Sequence, residues 1–252
     1  MYGLIISFVL CIGIVLSSLG FFITIRGERI EGSKSKPTFY ALEAFWIIIS
    51  LMYIFVAARM AFAFMGSHTM DKLAFMCSMV PFAFLSVPLV YLILYLLTGS
   101  RRASGMVSVL FGMFGLFYLA LLFTSSIPEP QVSYWASIIS VQSIYSISLY
   151  LSLLYIVPTA MILGILLVIL LRQIPKGTKY RITLSLVAIS MVFDFVLTDV
   201  VATLPELQLA SRIFIFIGVV FAFLAYFPPT SVKEKLGLGI VYGTFEDEMD
   251  ED

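Results

Sequence analysis

Seven long apolar runs, separated by short polar connections, constrain this 252-residue chain more than any other feature. A helix needs about 20 mostly apolar residues to cross a bilayer. The charged share is 12%, against about 25% in soluble domains. The runs predict spans one to seven at 2–25, 39–65, 73–98, 103–124, within 137–171, at 180–203 and at 213–227. We therefore predict an all-α integral membrane protein, with a seven-transmembrane helix bundle over residues 1–229.

Lysine and arginine residues are concentrated in every second connection. They follow spans one, three and five and begin the tail, at Arg26, Arg29, Lys34, Lys36, Arg101, Arg102, Arg172, Lys176, Lys179, Arg181, Lys233 and Lys235. The other connections carry Asp71, Glu129 and Glu206, with only Lys72 and Arg212 as basic residues. Since cytoplasmic loops hold the basic excess, we expect the N-terminus outside and the C-terminus in the cytoplasm. The expected location is the plasma membrane.

The tail, residues 230–252, begins with a short basic segment and ends in the acidic run FEDEMDED. Runs of like charge repel one another and stay solvated. We therefore expect the tail to be cytoplasmic and disordered.

Several classes of function lack the residues that they need. A formal net charge of zero argues against nucleic acid as a partner. One histidine and the two cysteines Cys11 and Cys77 supply no ligand set for a metal or haem, so no cofactor is predicted. The carboxylates Asp194 and Asp199 lie five residues apart on one helix and point about 140° apart. They cannot form a facing pair, and no enzymatic activity is expected.

Span six carries a carboxylate, Asp194, near its middle. A charge at this depth costs roughly 2.5–3.5 kcal/mol on insertion scales, so the fold must offer it partners. Ser190 and Thr198 lie one turn away on either side, and residues four apart share a helix face. This polar face should point into the bundle.

Span five presents a matching polar face. Ser152, Tyr155 and Thr159 follow three- and four-residue steps, next to Pro158, which removes an amide and frees a carbonyl one turn back. We predict a polar ligand-binding pocket between spans five and six, lined by these residues with Ser190, Asp194 and Thr198, and a hinge at Pro158. The alternative is that the same groups only hydrogen bond between helices, at about 0.6 kcal/mol each.

A second polar group is predicted near the outer ends of the spans. Counted at about 1.5 Å per residue, Arg59 in span two and Asp199 in span six reach similar depths, so they can form an ion pair. Arg212, at the start of span seven, competes as the partner of Asp199. The alternative is that these side chains reach out to headgroups or water.

The chain resembles the microbial rhodopsins in the residue pattern of spans two, three and seven. The segments are FYALEAFWIIISLMYIF, SVPLVYLILYLLTG and IFIGVVFAFLAYF. The chain is also similar to the seven-helix N-terminal sensor region of some prokaryotic histidine kinases. Rhodopsins hold retinal on a lysine of span seven. This span has no lysine, and a rough superposition puts Phe216 there, so covalent retinal is not expected.

Three functional interpretations remain open. The leading one is a non-enzymatic receptor or sensor that takes a small, partly apolar ligand and signals through a separate cytoplasmic or membrane protein. The second is a small-solute or proton-coupled transporter in which Asp194 titrates. The third is a structural or accessory subunit of a membrane complex. The lipid bilayer is the partner common to all three.

Overall fold

The computed structural model describes residues 2–31, 37–139, 145–171, 176–229 and 232. In chain order the elements are α1 (Tyr2–Glu31), α2 (Pro37–Phe64), α3 (His68–Phe84), α4 (Ser86–Thr98), α5 (Arg101–Thr124), β1 (Gln131–Val132), β2 (Ser137–Ile138), α6 (Tyr145–Leu171), α7 (Lys176–Val201) and α8 (Pro205–Tyr226). Among the described residues, seven helical segments are long and apolar enough to cross a membrane, with α3 and α4 together forming one of them. The chain is therefore an integral, multi-pass membrane protein.

The helices form a closed ring. Helix α1 packs against α2 and α8, α2 against α3 and α4, α5 against α3, α4 and α6, and α7 against α6 and α8. Gly218 lets α7 and α8 approach closely, because a Cβ at this position would lie 2.7 Å from a Val192 methyl carbon. Small residues at helix contacts are the usual route to close packing in membranes. Large apolar side chains face outward along every span, as lipid contact requires.

The third span is divided by a break at Leu85. Pro88 has no amide and cannot donate to the carbonyl of Phe84, which would be its helical partner. Three residues earlier, the Leu85 amide donates at 3.3 Å to the carbonyl of Phe82, three residues back, whereas a regular α-helix bonds four residues back. Leu85 itself keeps helical angles, with φ −61° and ψ −34°. The span therefore keeps its direction through Leu85, although its regular α-helical hydrogen bonding is interrupted there.

A short β-hairpin caps one end of the bundle. Its strands β1 and β2 are antiparallel, and the Ser133 hydroxyl closes the turn by donating to the Ala136 carbonyl at 2.7 Å. The Ser7 hydroxyl of α1 donates to the Trp135 carbonyl at 2.6 Å, which fastens the hairpin to the helices. The range 137–171 predicted for span five began inside this hairpin, whereas α6 begins at Tyr145. We call this end of the bundle the hairpin end and the other the opposite end.

Helix α8 begins at Pro205 rather than at 213, the predicted start of span seven. Proline suits the first turn of a helix because its missing amide has no partner there. The earlier start places Gln208 and Arg212 inside the bundle, 4% and 1% exposed. The polar residues that ended the apolar run in the sequence are therefore buried, and they belong to the site described below.

The predicted sidedness depends on the basic residues of the connections. Arg101 and Lys176 begin α5 and α7 at the opposite end. Lys34, Lys36 and Arg172 lie outside the described residues, as does the predicted tail apart from Val232. Which end faces the cytoplasm stays a prediction.

Candidate functional site

Asp194 joins α6 to α7 through hydrogen bonds. Its Oδ1 accepts from the Thr159 hydroxyl at 2.5 Å, and its Oδ2 accepts from the Ser190 hydroxyl at 3.0 Å. The Thr198 hydroxyl donates to the Asp194 backbone carbonyl at 3.0 Å. The Thr159–Asp194 bond joins the predicted polar faces of spans five and six, whereas the bonds of Ser190 and Thr198 lie within α7. With both carboxylate oxygens occupied by hydroxyl groups, the arrangement is an interhelical polar contact.

The other residues predicted for this pocket lie elsewhere. The Tyr155 hydroxyl donates to the Phe82 carbonyl at 3.1 Å, at the broken end of α3. The Tyr155 ring stacks between Phe82 and Phe193, with centroids 4.8 and 4.6 Å away. The exposed Ser152 donates at 2.8 Å to the carbonyl of Ser148 in its own helix. The structure thus does not bring Tyr155 or Ser152 to the Asp194 carboxylate, and their role in ligand binding stays a prediction.

Helix α6 runs through Pro158 without interruption, and the Pro158 ring is buried. Proline still lacks the amide that would bond one turn back, so the helix has a weak point at this level. Its use as a hinge stays a prediction.

A second polar group lies at the hairpin end, and we call it the charge cluster. It consists of two arginines and two aspartates, all buried: Arg59, Asp71, Asp199 and Arg212. They carry no net formal charge together. Because charged groups are costly at membrane depth and tend to pair with one another there, the pairing scheme decides what this cluster can do.

The first pair joins α2, α3 and the hairpin. Arg59 Nε donates to Asp71 Oδ1 at 3.1 Å, and Arg59 Nη2 donates to the Ser137 carbonyl at 2.9 Å. The Ser137 hydroxyl donates to the second oxygen of Asp71. The guanidinium also lies over the Phe75 ring, 4.9 Å from its centroid, a favourable cation–π position. Asp71 is fully buried, so this carboxylate depends on Arg59 and Ser137.

The second pair joins α7 and α8 to α2. Arg212 Nε donates to both oxygens of Asp199, at 3.1 and 3.3 Å. The Tyr53 hydroxyl donates to Asp199 Oδ2 at 3.0 Å. Arg212 Nη1 lies 3.4 Å from the sulfur of Met60. The neighbouring Gln208 donates to the Ala202 carbonyl at 2.9 Å, which holds the start of α8 against the end of α7.

Of the two arginines considered as partners of Asp199, Arg212 forms the ion pair. Arg59 pairs with Asp71 instead, a residue assigned from the sequence to an outer loop. The reason is the tight turn at Gly66, where φ is 72°. It lets α3 begin at His68 and carries Asp71 back beside α2. A glycine-containing turn between an arginine and a nearby aspartate is the signal that could have revealed this pair.

The cluster encloses a small cavity of about 10 Å³, whose lining includes Arg59, Ser78, Asp199, Gln208 and Arg212. Among the described residues, no group of three histidine, cysteine or acidic side chains could hold a metal ion. The cluster therefore offers charge pairing and hydrogen bonding.

A larger cavity lies at the opposite end, inside the ring of helices, and we call it the opposite-end cavity. It measures about 250 Å³ and is mostly apolar; its lining includes Thr38, Leu42, Leu96, Ser185, Ile189 and Tyr226. The buried Ser185 hydroxyl has no hydrogen-bond partner among the described residues. The cavity can therefore hold a small apolar group and offer it a hydroxyl.

Comparison with known proteins adds no identity to this geometry. No protein-family model, no curated protein and no solved structure matches the chain. Of the resemblance to rhodopsins and to kinase sensor regions, only the seven-span topology is supported.

Proposed function

We propose that this protein is a non-enzymatic, receptor- or sensor-like membrane protein that signals through a separate partner. The observation that carries the proposal is the sharing of helices between its two sites. Helices α2, α7 and α8 contribute Arg59, Asp199 and Arg212 to the charge cluster. The same three helices contribute Leu42, Ile189 and others to the opposite-end cavity. A change at one end therefore acts on helices that also shape the other.

The distance between the sites is typical of coupling through rigid elements. On α7, Leu186 in the opposite-end cavity and Asp199 in the charge cluster lie thirteen positions apart. This corresponds to about 20 Å of helix. On α2, the side chains between the sites belong to the core, and Trp46, Ile49 and Met52 are fully buried. Close-packed interiors resist compression and transmit strain. This core can therefore transmit helix movement.

Such coupling needs an element with two arrangements, and we assign that role to the charge cluster. Arg59 and Asp199 line one small cavity together with Arg212, so Arg59 faces Asp199 across a short gap while Arg212 pairs with it directly. Exchange of partners keeps the cluster neutral while it changes which helices are tied together. Buried pairs of this kind often add little net stability, and a role in specifying conformation accounts for their presence.

The opposite-end cavity is the site proposed for the small, partly apolar ligand. Its apolar lining suits a hydrocarbon group, and Thr38 and Ser185 suit a single polar group. This position replaces the pocket at Asp194, where both carboxylate oxygens already have hydroxyl partners.

The test measures the opposite end while the charge cluster is altered. Spin labels are placed at the exposed positions Leu97 in α4 and Lys176 in α7, both changed to cysteine. Cys77 is changed to serine, and the buried Cys11 is kept. Distances between the labels are measured by pulsed electron paramagnetic resonance in nanodiscs, with and without Asp199→Asn.

We expect Asp199→Asn to shift or broaden the distance distribution, and the matched control Asp194→Asn on the same helix to leave it unchanged. An unchanged distribution in a folded Asp199→Asn protein would refute coupling between the ends. Solute uptake into proteoliposomes that Asp194→Asn abolishes would establish the carrier function instead.

A further inference from the structure

The cavity inside the charge cluster contains an acceptor without a donor. Gln208 is 4% exposed and lines the cavity, and its Oε1 is buried with no hydrogen-bond partner among the described residues. An unsatisfied buried acceptor destabilises the folded state. This cost calls for a donor that the surrounding side chains do not supply.

The orientation of the Gln208 amide follows from its other bond. Its Nε2 donates to the Ala202 carbonyl at 2.9 Å. A carbonyl oxygen only accepts, so the opposite orientation would place two acceptors together. The amide therefore keeps its Nε2 on the backbone of α7 and directs its Oε1 away from it.

The cavity has the size and chemistry for one water molecule. A water needs a cavity that holds one water-sized sphere, roughly 10–15 Å³, and two to four polar partners, and this cavity measures about 10 Å³. Each guanidinium has five N–H donors, and the bonds described above use two of them in Arg59 and two in Arg212. The Ser78 hydroxyl donates to the Phe75 carbonyl and keeps its lone pairs for a donor.

The charges around the cavity favour a neutral occupant. Arg59 is balanced by Asp71 and Arg212 by Asp199, so neither a cation nor an anion gains from entering. An apolar atom would leave the Gln208 acceptor unsatisfied. A neutral molecule that both donates and accepts meets every requirement.

We propose that the charge cluster binds a single buried water molecule. The water donates to Gln208 Oε1 and accepts from the guanidinium groups that line the cavity, and it thereby links the Arg59–Asp71 pair to the Arg212–Asp199 pair. The two ion pairs then form one hydrogen-bonded network across α2, α3, α7 and α8. This inference does not depend on the receptor function proposed above.

The test uses hydroxyl-radical labelling by a brief X-ray pulse, which generates radicals from water where the water resides. Met79 lines the cavity and is 2% exposed, whereas Met52 is fully buried in the core and does not line it. We expect Met79 to gain oxygen several-fold faster than Met52, as measured by mass spectrometry. In Gln208→Met, which removes the acceptor at similar volume, we expect the Met79 rate to fall toward that of Met52.

Equal rates at Met79 and Met52 in the unaltered protein would overturn the proposal. An unchanged Met79 rate in a folded Gln208→Met protein would overturn the role of Gln208. If that variant does not fold, a density map of the unaltered protein at high resolution decides. Density within hydrogen-bonding distance of Gln208 Oε1 is expected, and a clear map without it would refute the water site.

Discussion

Replacing Asp199 by asparagine should be far more costly than the same change at Asp194. Both residues lie on α7, five positions apart, and both accept hydrogen bonds. Asp199 is 5% exposed and neutralises Arg212, which is 1% exposed. Asp194 is half-buried, and its partners are the neutral hydroxyls of Thr159 and Ser190. The pair of variants therefore separates loss of a charge partner from loss of a hydrogen bond.

The magnitudes follow from these partners. Removing one member of a buried ion pair costs about 3–5 kcal/mol, because the remaining charge stays buried without compensation. Hydrogen bonds between helices in a membrane protein average about 0.6 kcal/mol and reach about 1.7 kcal/mol. We therefore expect Asp199→Asn to lower the free energy of unfolding by about 3–5 kcal/mol and Asp194→Asn by about 0.6–1.7 kcal/mol.

Reversible unfolding in mixed micelles with increasing sodium dodecyl sulfate measures both free energies. The double variant Asp199→Asn/Arg212→Met should recover most of the loss, since a neutral pair of similar volume is often as stable as a buried ion pair. A loss in Asp194→Asn as large as that in Asp199→Asn would refute the difference between the two carboxylates. A further loss of stability when Arg212→Met is added to Asp199→Asn would refute the role of the unpaired charge.

Three further predictions use other parts of the bundle. Gly218→Ala should cost about 1–3 kcal/mol in the same unfolding assay because its Cβ overlaps α7, whereas Gly164→Ala, whose Cβ meets open space, should cost nothing. Tyr155→Phe should cost about 0.5–1.5 kcal/mol by losing its bond to an α3 carbonyl; no loss would show that this bond is not made. With Cys77 replaced by serine, a membrane-impermeant maleimide applied to intact cells should label Val132→Cys in the hairpin but not Leu97→Cys. The reverse pattern would invert the expected sidedness.

Local geometry explains why the contacts of Asp194 could be predicted. Ser190 and Thr198 lie one turn before and after it, and this relation holds in any α-helix. The contact with Thr159 could be predicted because the polar faces of both helices avoid lipid. Tyr155 belongs to the same face by spacing, but the Tyr155 hydroxyl donates to the Phe82 carbonyl, near the break at Leu85. A partner created by an irregularity in another helix leaves no periodic signal.

The ion pairs could not be predicted in the same way. Asp199 lies at a depth that both Arg59 and Arg212 reach, and counting residues cannot choose between them. The choice depends on which helices are neighbours in the ring and on how each is rotated. The packing of α7 against α8 places Arg212 beside Asp199, and the turn at Gly66 places Asp71 beside Arg59.

The amino-acid sequence alone determines that seven segments are long and apolar enough to cross a membrane, because the free energy of burying apolar runs in hydrocarbon depends on length and composition. It also determines which side chains share a helix face, because helical periodicity is local. Only the tertiary structure decides which charges pair, where a cavity remains, and that α2, α7 and α8 serve both ends of the bundle. Those features depend on helix order, rotation and interruption, which are set by packing between distant segments.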